Sequence, residues 1–326
     1  MMKCVLSITE SCNLKCNYCY VDAKKKREGT PSPSIPSTAH LFRIVDLLGN
    51  IGVNKLIIGG GEPLLRGDVF EIIERGSALM PTYLLTNGSL INEETARKLE
   101  GCELGGLSIS LDSATPDIHN ELRDGSYMPA LNGVRHCIDA GLDVNISTCV
   151  TTKNISGIAD IINLAESVGA ASITFQGLSP VGRGAGCTNL ALSSAQTDYF
   201  LNYVSNIIRS RKFNIKIIMY YPQWIRWDGT AEGCEVGKNF FGLRSNGDVL
   251  PCTNLPIKIG NIFEDDFADI WNCSFMNDLR EIRTGGCAIC EYVGRCGGCR
   301  SKAYSLGDVF ASDPSCKLAD EMAARR

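Results

Sequence analysis

The chain has 326 residues, 44% of them hydrophobic and 21% charged, and a formal net charge of −4. That composition excludes a disordered or low-complexity chain, and with no long basic tract it gives no reason to expect a nucleic-acid partner. No run of 18 apolar residues exists to cross a membrane, and the opening MMKCVLSITESC is too short and polar for a signal peptide. The expectation is a cytoplasmic protein whose thiols stay reduced, so its 16 cysteines favour metal ligation over disulfides. The basic run KKKR, Lys24 to Arg27, reads as a solvated loop.

In chain order, strands are predicted at Cys4–Ile8, Lys55–Ile58, Thr82–Leu85, Leu107–Leu111, Asp143–Val150 and Ala171–Phe175. Helical patterns fall between them at Ala39–Leu48, Val69–Leu79, Glu93–Leu99, Met128–Ala140 and Ile158–Val168. This alternation implies βαβ units and a parallel sheet, an α/β fold of partial (β/α)6 TIM-type barrel form. Function then belongs at the C-terminal ends of the strands. The proline-rich GTPSPSIPS, Gly29–Ser37, is a loop placed either to cover that end or simply to connect. After Phe175 the rhythm fades into a glycine-rich connection, a helix near Gln196–Ser210 and a strand near Ile215–Tyr220. Phe240–Arg244 and Val249–Pro251 read as a hairpin turning at Asn246-Gly247. Eight cysteines crowd into the last 93 residues, beyond a boundary set near residue 230. The expected division is 1–185, a connecting region 186–230, and a small cysteine-rich domain 231–326.

The loop after the first strand reads CNLKCNYCY, Cys12 to Tyr20. Three cysteines are one short of a structural zinc site, although a distant fourth ligand would complete one. Iron–sulfur clusters are held by thiolates, usually four, and three leave one iron open to a ligand that is not protein. Cys12, Cys16 and Cys19, with Tyr18 before the last, resemble the CxxxCxxC signature of the radical S-adenosylmethionine (SAM) superfamily. The resemblance implies that SAM chelates the open iron and is cleaved by one electron to methionine and a 5′-deoxyadenosyl radical. IIGGGEPLL, ending the second strand, is similar to the family's GGEP motif. Gly60, Gly61, Glu62 and Pro63 are carried over as the site for the SAM amine, with Glu62 as acceptor. LLTNG and SISLD end the third and fourth strands. By resemblance Asn87, Ser110 and Asp112 face the ribose or methionine moiety, and Arg123 in HNELRDG meets the methionine carboxylate. Each of these polar residues also suits a helix cap or turn.

The tail runs Cys234-x12-Gly247-x4-Cys252, then Cys287-x2-Cys290-x5-Cys296-x2-Cys299 and finally Cys316. It resembles the SPASM domain, which carries two auxiliary 4Fe–4S clusters besides the one that binds SAM. CGGC has two residues where the usual pattern has three. By resemblance Cys287, Cys290, Cys296 and Cys316 enclose an outer cluster. Cys234, Cys252 and Cys299 hold an inner one with an open or non-cysteine fourth position. Zinc on the CxxC pairs is the alternative. Cys273 reads as a packed thiol on a helix, and Cys4, Cys102, Cys137 and Cys149 as small core residues. Cys187, in GRGAGC, is either an idle loop thiol or a hydrogen donor to a substrate radical.

Such cofactors carry the reaction while the protein orients and shields it, so a lid and an anaerobic setting are expected. Auxiliary clusters suggest an oxidative outcome, and substrate binding or electron relay would explain them equally. With the first cluster beginning at Cys12, no room for a leader-peptide domain is expected, which favours a small biosynthetic substrate over a peptide. A reductase such as flavodoxin or ferredoxin would supply electrons. The alternatives are a peptide- or protein-modifying maturase and, in another class, an iron–sulfur electron carrier, which would not explain the GGGEP and SLD sites. The aromatics of YYPQWIRWDG, Tyr220–Gly229, suit either stacking on a planar substrate or ordinary packing.

Overall fold

The computed structural model describes residues 1–25 and 36–324. The expected covering loop up to residue 35, and Lys26 and Arg27 of the basic run, lie outside the described residues. Ten strands form one sheet: β1 (Met2–Thr9), β2 (Val53–Gly60), β3 (Thr82–Thr86), β4 (Gly106–Ser110), β5 (Val144–Val150), β6 (Ser172–Gly177), β7 (Lys216–Tyr220), β8 (Phe240–Arg244), β9 (Asp248–Leu250) and β10 (Gly260–Asn261). Their order across the sheet is β10-β9-β8-β1-β2-β3-β4-β5-β6-β7.

All six expected strands are present and pair in parallel in sequence order, which brings their C-terminal ends to one edge. Two features exceed the expectation. The βα alternation continues past Phe175 for one more unit, because β7 pairs in parallel with β6 from Ser172↔Lys216 to Gln176↔Tyr220. The predicted hairpin also does not stand apart. β8 pairs in parallel with β1, from Lys3↔Phe240 to Ser7↔Arg244, and β9 returns antiparallel to it. A five-residue strand flanked by cysteines and glycines carries no sequence signal for such long-range pairing.

Helices cover the sheet where the apolar spacing predicts them. In α1 (Thr38–Asn50), Ser37 caps the start by accepting from His40 N, and Leu41, Ile44, Val45 and Leu48 form the buried stripe. The same logic builds α2 (Val69–Ser77), α3 (Glu93–Gly101), α5 (Tyr127–Asp139) and α6 (Ile158–Ser167). α7 (Ser194–Ser210) opens with a capping box between Ser193 and Gln196. Between α3 and α5 lies α4 (Pro116–Leu122), absent from the sequence reading because seven residues are too few to show a period. The core joins Leu6, Ile8, Ile58, Leu84, Ile109, Ile146, Ile173 and Phe241 of the sheet to these helices. Five short helices follow β10: α8 (Phe267–Trp271), α9 (Ser274–Glu281), α10 (Gly285–Ala288), α11 (Arg300–Tyr304) and α12 (Lys317–Ala324). Among the described residues no helix is long and apolar enough to cross a membrane.

Candidate active site

The loop carrying Cys12, Cys16 and Cys19 is bound to its surroundings mainly through backbone. Gly61 N and Glu62 N donate to Thr9 O and Ser11 O, each at 2.8 Å. A Cβ on Gly60 would lie 2.4 Å from Thr9 O, and one on Gly61 2.1 Å from Ser11 O. The glycines thus allow two protein backbones to touch. From the far side Arg183 Nε donates to Cys16 O at 2.8 Å, and Arg183 Nη1 to Ala23 O at 3.1 Å. Leu14 N donates to Cys12 Sγ at 3.4 Å, and Asn17 N to Leu122 O at 3.1 Å. Gly61→Ala is therefore expected to push the loop off β2 at a cost of about 1–3 kcal/mol or more. The check is a lowered denaturation midpoint together with loss of roughly a third of the bound iron; unchanged stability and iron would contradict it.

Glu62 does not face open space. It is fully buried, and its carboxylate accepts from Thr86 Oγ1 at 2.7 Å, Asn87 N at 2.8 Å and Leu64 N at 3.1 Å. Burial raises its pKa and these three donors lower it, the net direction being up. In the chain alone the carboxylate locks the end of β2 to the end of β3 and caps the turn begun by Pro63. Asn87 is similarly occupied. Its Nδ2 donates to Asn13 Oδ1 at 2.9 Å, and its Oδ1 accepts from Ser89 N at 2.9 Å, so β3 braces the residue beside Cys12.

Asp112, expected at a ribose or methionine group, is buried and fully engaged by protein. Arg123 Nε donates to its Oδ2 at 2.7 Å, Cys149 N to its Oδ1 at 2.9 Å, and Tyr18 Oη to Oδ2. Arg123 lies over the Tyr18 ring at 5.4 Å. Burial lowers the Arg123 pKa, but Asp112, Tyr18 and Cys16 together outweigh it and raise it, which holds the guanidinium firmly charged. Tyr18, Asp112 and Arg123 are thus one buried unit joining the cysteine loop to β4, β5 and α4. Ser110, at the end of β4, is half-buried and pairs with Ser147 through its backbone, while its hydroxyl has no hydrogen-bond partner among the described residues. Cys187 Sγ donates to Asn17 O at 3.4 Å, which places the thiol against the outside of the cysteine loop.

His119 was not anticipated. Its Nδ1 accepts from Asp112 N at 3.1 Å and its Nε2 lies 3.0 Å from Ser126 Oγ. Burial, against the opposing pull of Asp112, depresses its pKa from 6.5 to about 4. A depressed folded-state value means the unfolded chain binds the proton first. This contribution is present above about pH 6.5 and is lost as pH falls towards 4, in total on the order of 3 kcal/mol. His119→Asn should flatten the dependence of unfolding free energy on pH over that window; an identical slope in both proteins would refute the assignment.

The tail cysteines separate into two groups. Cys252 is influenced by Cys234 and Cys299, and Cys299 by Cys234. Cys296 is influenced by Cys316 and Cys287, and Cys316 by Cys287. Cys290 N bonds to Cys287 O at 3.4 Å, which keeps Cys290 with the second group. Burial pushes Cys252 and Cys296 up to about 12, and Cys299 and Cys316 to about 11. Asp313 is buried and braces the first group: its Oδ2 accepts from Cys299 N and from Gln223 Nε2, each at 2.8 Å. Gln223 comes from the aromatic segment, whose Tyr221 and Trp224 are buried packing residues while Tyr220 is exposed. Cys273 precedes α9 and packs half-buried beside Met276; Cys4, Cys102, Cys137 and Cys149 are buried as expected. Arg183, Gln223, Arg300, Lys302 and Asp313 escaped the sequence reading, although Arg183 lies between two glycines and Arg300 directly follows a cysteine.

These surroundings suit anionic clusters. Burial also lifts Cys12 to about 11, with Glu62, Cys16 and Cys19 adding to the rise, so the bare thiols need a cation to become thiolates. Near each of two cysteine sets lies a buried guanidinium nitrogen with no acceptor among the described residues: Arg183 Nη2 in the barrel and Arg300 Nη2 in the tail. Arg183 also pairs through Nη1 with Asp22 at 3.5 Å, and a cluster with thiolate ligands would give each free nitrogen an anionic neighbour. All 16 cysteines are free, so none is consumed by a disulfide.

Comparison with known proteins agrees with the geometry. The family model described as "Radical SAM superfamily" matches residues 6–165, and "Iron-sulfur cluster-binding domain" (SPASM) matches residues 234–300. An AdoMet-dependent heme synthase of Nitratidesulfovibrio vulgaris is 30% identical over 95% of this chain and 90% of its own length. That of Methanosarcina barkeri is 32% identical over 95% and 94%. A mycofactocin maturase of Mycobacterium ulcerans is 29% identical over 95% and 86%. In fold, the chain is similar to Streptococcus suis SuiB bound to S-adenosylmethionine, with a TM-score of 0.79 at 21% identity over 97% of this chain and 77% of the other. The chain belongs to the radical SAM superfamily, with a C-terminal SPASM domain, and is an enzyme that uses SAM and 4Fe–4S clusters.

Proposed function

We propose that this enzyme oxidises a small, carboxylate-bearing biosynthetic intermediate of the haem-precursor type, in the cytoplasm, with electrons supplied by a flavodoxin- or ferredoxin-like reductase. The observation that carries this reading is similarity to two heme synthases along 95% of the chain. Sixteen free cysteines support a reducing compartment. In this reading residues 1–185 form the SAM barrel, 186–230 connect, and 231–326 form the auxiliary domain. Cys12, Cys16 and Cys19 hold the SAM-binding cluster, Cys234, Cys252 and Cys299 the inner cluster, and Cys287, Cys290, Cys296 and Cys316 the outer one.

When bound, SAM and its cluster supply one-electron chemistry that can take hydrogen from unactivated carbon. The chain's residues position and enclose it. Gly60 to Pro63 fix the cysteine loop against β2 and present backbone to the SAM amine, with Glu62 stabilising that backbone. Tyr18, Asp112 and Arg123 set the opposite wall, where the charged guanidinium can turn a free N–H to the methionine carboxylate. Asn87 fixes Asn13, and the unpartnered Ser110 hydroxyl is available to a ligand.

The test is anaerobic incubation of the reconstituted enzyme with SAM, a reductant and iron porphyrins bearing propionate side chains. The porphyrin should stimulate 5′-deoxyadenosine formation and lose mass in proportion to it. Failure of every porphyrin, with modification of a candidate precursor peptide instead, would replace this reading with that of a peptide maturase.

A further inference from the structure

At the end of β6 two buried side chains with unspent donors meet. A Cβ on Gly177, the last residue of that strand, would lie 2.7 Å from Lys302 Nζ and 3.1 Å from Tyr221 Cε1, so the missing side chain lets both groups come close to the strand. Tyr221 is 2% exposed and packs its ring on Phe200 at 5.4 Å, while its hydroxyl has no partner among the described residues. Burial raises its pKa well above 10, with Cys149 and Asp313 adding to the rise, so the phenol keeps its proton to donate. Lys302 is 9% exposed and its Nζ lies 5.3 Å from the centre of the Tyr221 ring. An ammonium has three N–H donors, and this one spends a single N–H, on Ser315 Oγ at 3.0 Å. No carboxylate lies within ion-pair distance of it among the described residues. Asp313 stands behind Ser315 and balances part of the charge. Its oxygens already accept from Cys299 N, Gln223 Nε2, Ser315 N and Ser315 Oγ, so it takes neither free donor.

The place lies between the two halves of the site. Cys149 N donates to Asp112 Oδ1 at 2.9 Å, which joins Cys149 to the wall made by Tyr18, Asp112 and Arg123. Burial and then Asp112 raise the Cys149 pKa, and both Arg123 and Lys302 oppose them, so Cys149 stands between that wall and the ammonium. On the other side Lys302 belongs to α11, which begins directly after Cys299 of the inner group. A buried donor without an acceptor is unfavourable, and one charged and one neutral donor at the same strand end suit the two oxygens of a carboxylate. We propose that Lys302 and Tyr221 bind a carboxylate of the substrate at the C-terminal end of β6, between the SAM wall and the inner cysteine group. This site rests on the reading of the substrate given above as carboxylate-bearing, and it names the residues that recognise the acid. A carboxylate fixed there limits which substrate carbon faces the point of hydrogen removal.

The experiment is a binding titration of the reconstituted full-length enzyme, with SAM present and no reductant. The probes are an iron porphyrin bearing propionates and its counterpart with every propionate converted to the amide. The wild type should bind the acid about tenfold more tightly than the amide, or better, the scale of one charge-assisted hydrogen bond. Lys302→Met should remove that preference and Lys302→Arg should keep most of it. Tyr221→Phe, which breaks no hydrogen bond within the chain, should reduce it several-fold, whereas a packing role alone leaves it unchanged. Equal binding of acid and amide by the wild type, or a wild-type preference in Tyr221→Phe and in a Lys302→Met protein that retains its iron, overturns the proposal. Should Lys302→Met lose its iron, Tyr221→Phe decides in the same way. A fall in SAM affinity in these variants, with the porphyrin preference intact, would assign the donors to the methionine carboxylate and also overturn it. If the wild type binds neither porphyrin, the haem-precursor reading fails and the carboxylate site falls with it. If the acid porphyrin is bound and modified but the variants keep the preference, the reading stands and the site alone falls.

Discussion

Replacing Cys12, Cys16 and Cys19 together with alanine is expected to abolish SAM cleavage and to remove about a third of the iron. The three thiols occupy one loop after β1, held by Thr9 O and Ser11 O on one side and by Arg183 on the other. Most of these contacts are made by backbone, so alanine preserves them. The loss should therefore be of ligation rather than of fold. The tail cysteines, from Cys234 onward, lie in separate groups and should keep their iron. Iron analysis and 5′-deoxyadenosine measured by chromatography test both halves of the expectation. SAM cleavage persisting in the triple variant would place the reaction elsewhere in the chain.

The second large effect concerns the auxiliary domain. With Cys234 and Cys252 both replaced by alanine, product formation should stop while some SAM cleavage survives. The barrel site keeps its three cysteines and the residues that hydrogen-bond to their backbone in this variant. What is lost is the inner group, which Asp313 braces through Cys299 N and Gln223. Metal binding contributes to folding, so the variant must first give a cooperative unfolding transition. Cys234 N donates to Cys296 O at 2.8 Å and Leu255 N to Cys252 O at 2.9 Å, and alanine retains both backbone bonds. Wild-type product formation without the inner cluster would leave the domain a structural or docking role.

Much of this arrangement was legible in the sequence, for physical reasons specific to each part. Six apolar strands with helical patterns between them announce a parallel sheet, because only crossover connections allow parallel neighbours. The cysteine spacings point to candidate cluster sites because ligand number and reach are fixed by the group they hold. What stayed hidden was long-range. Nothing in FFGLR tells that it pairs in parallel with β1 at the other end of the chain, from Lys3↔Phe240 to Ser7↔Arg244. Nothing in SLD and ELRD tells that Asp112 and Arg123 meet each other and Tyr18. A polar residue at a strand end reads the same whether it will hold a ligand or a neighbouring loop. Glu62 shows the difficulty most clearly: the motif puts a carboxylate at the end of β2, and only its three protein donors show that it serves the scaffold.

The most direct test of the whole account is iron and acid-labile sulfide per chain after anaerobic reconstitution, read together with 5′-deoxyadenosine formed on adding SAM and a strong reductant. Three clusters of four irons predict about twelve irons and a matching amount of sulfide, with 5′-deoxyadenosine appearing only in the reduced sample. Zinc in place of iron, or an iron-loaded protein that forms no 5′-deoxyadenosine, would contradict it.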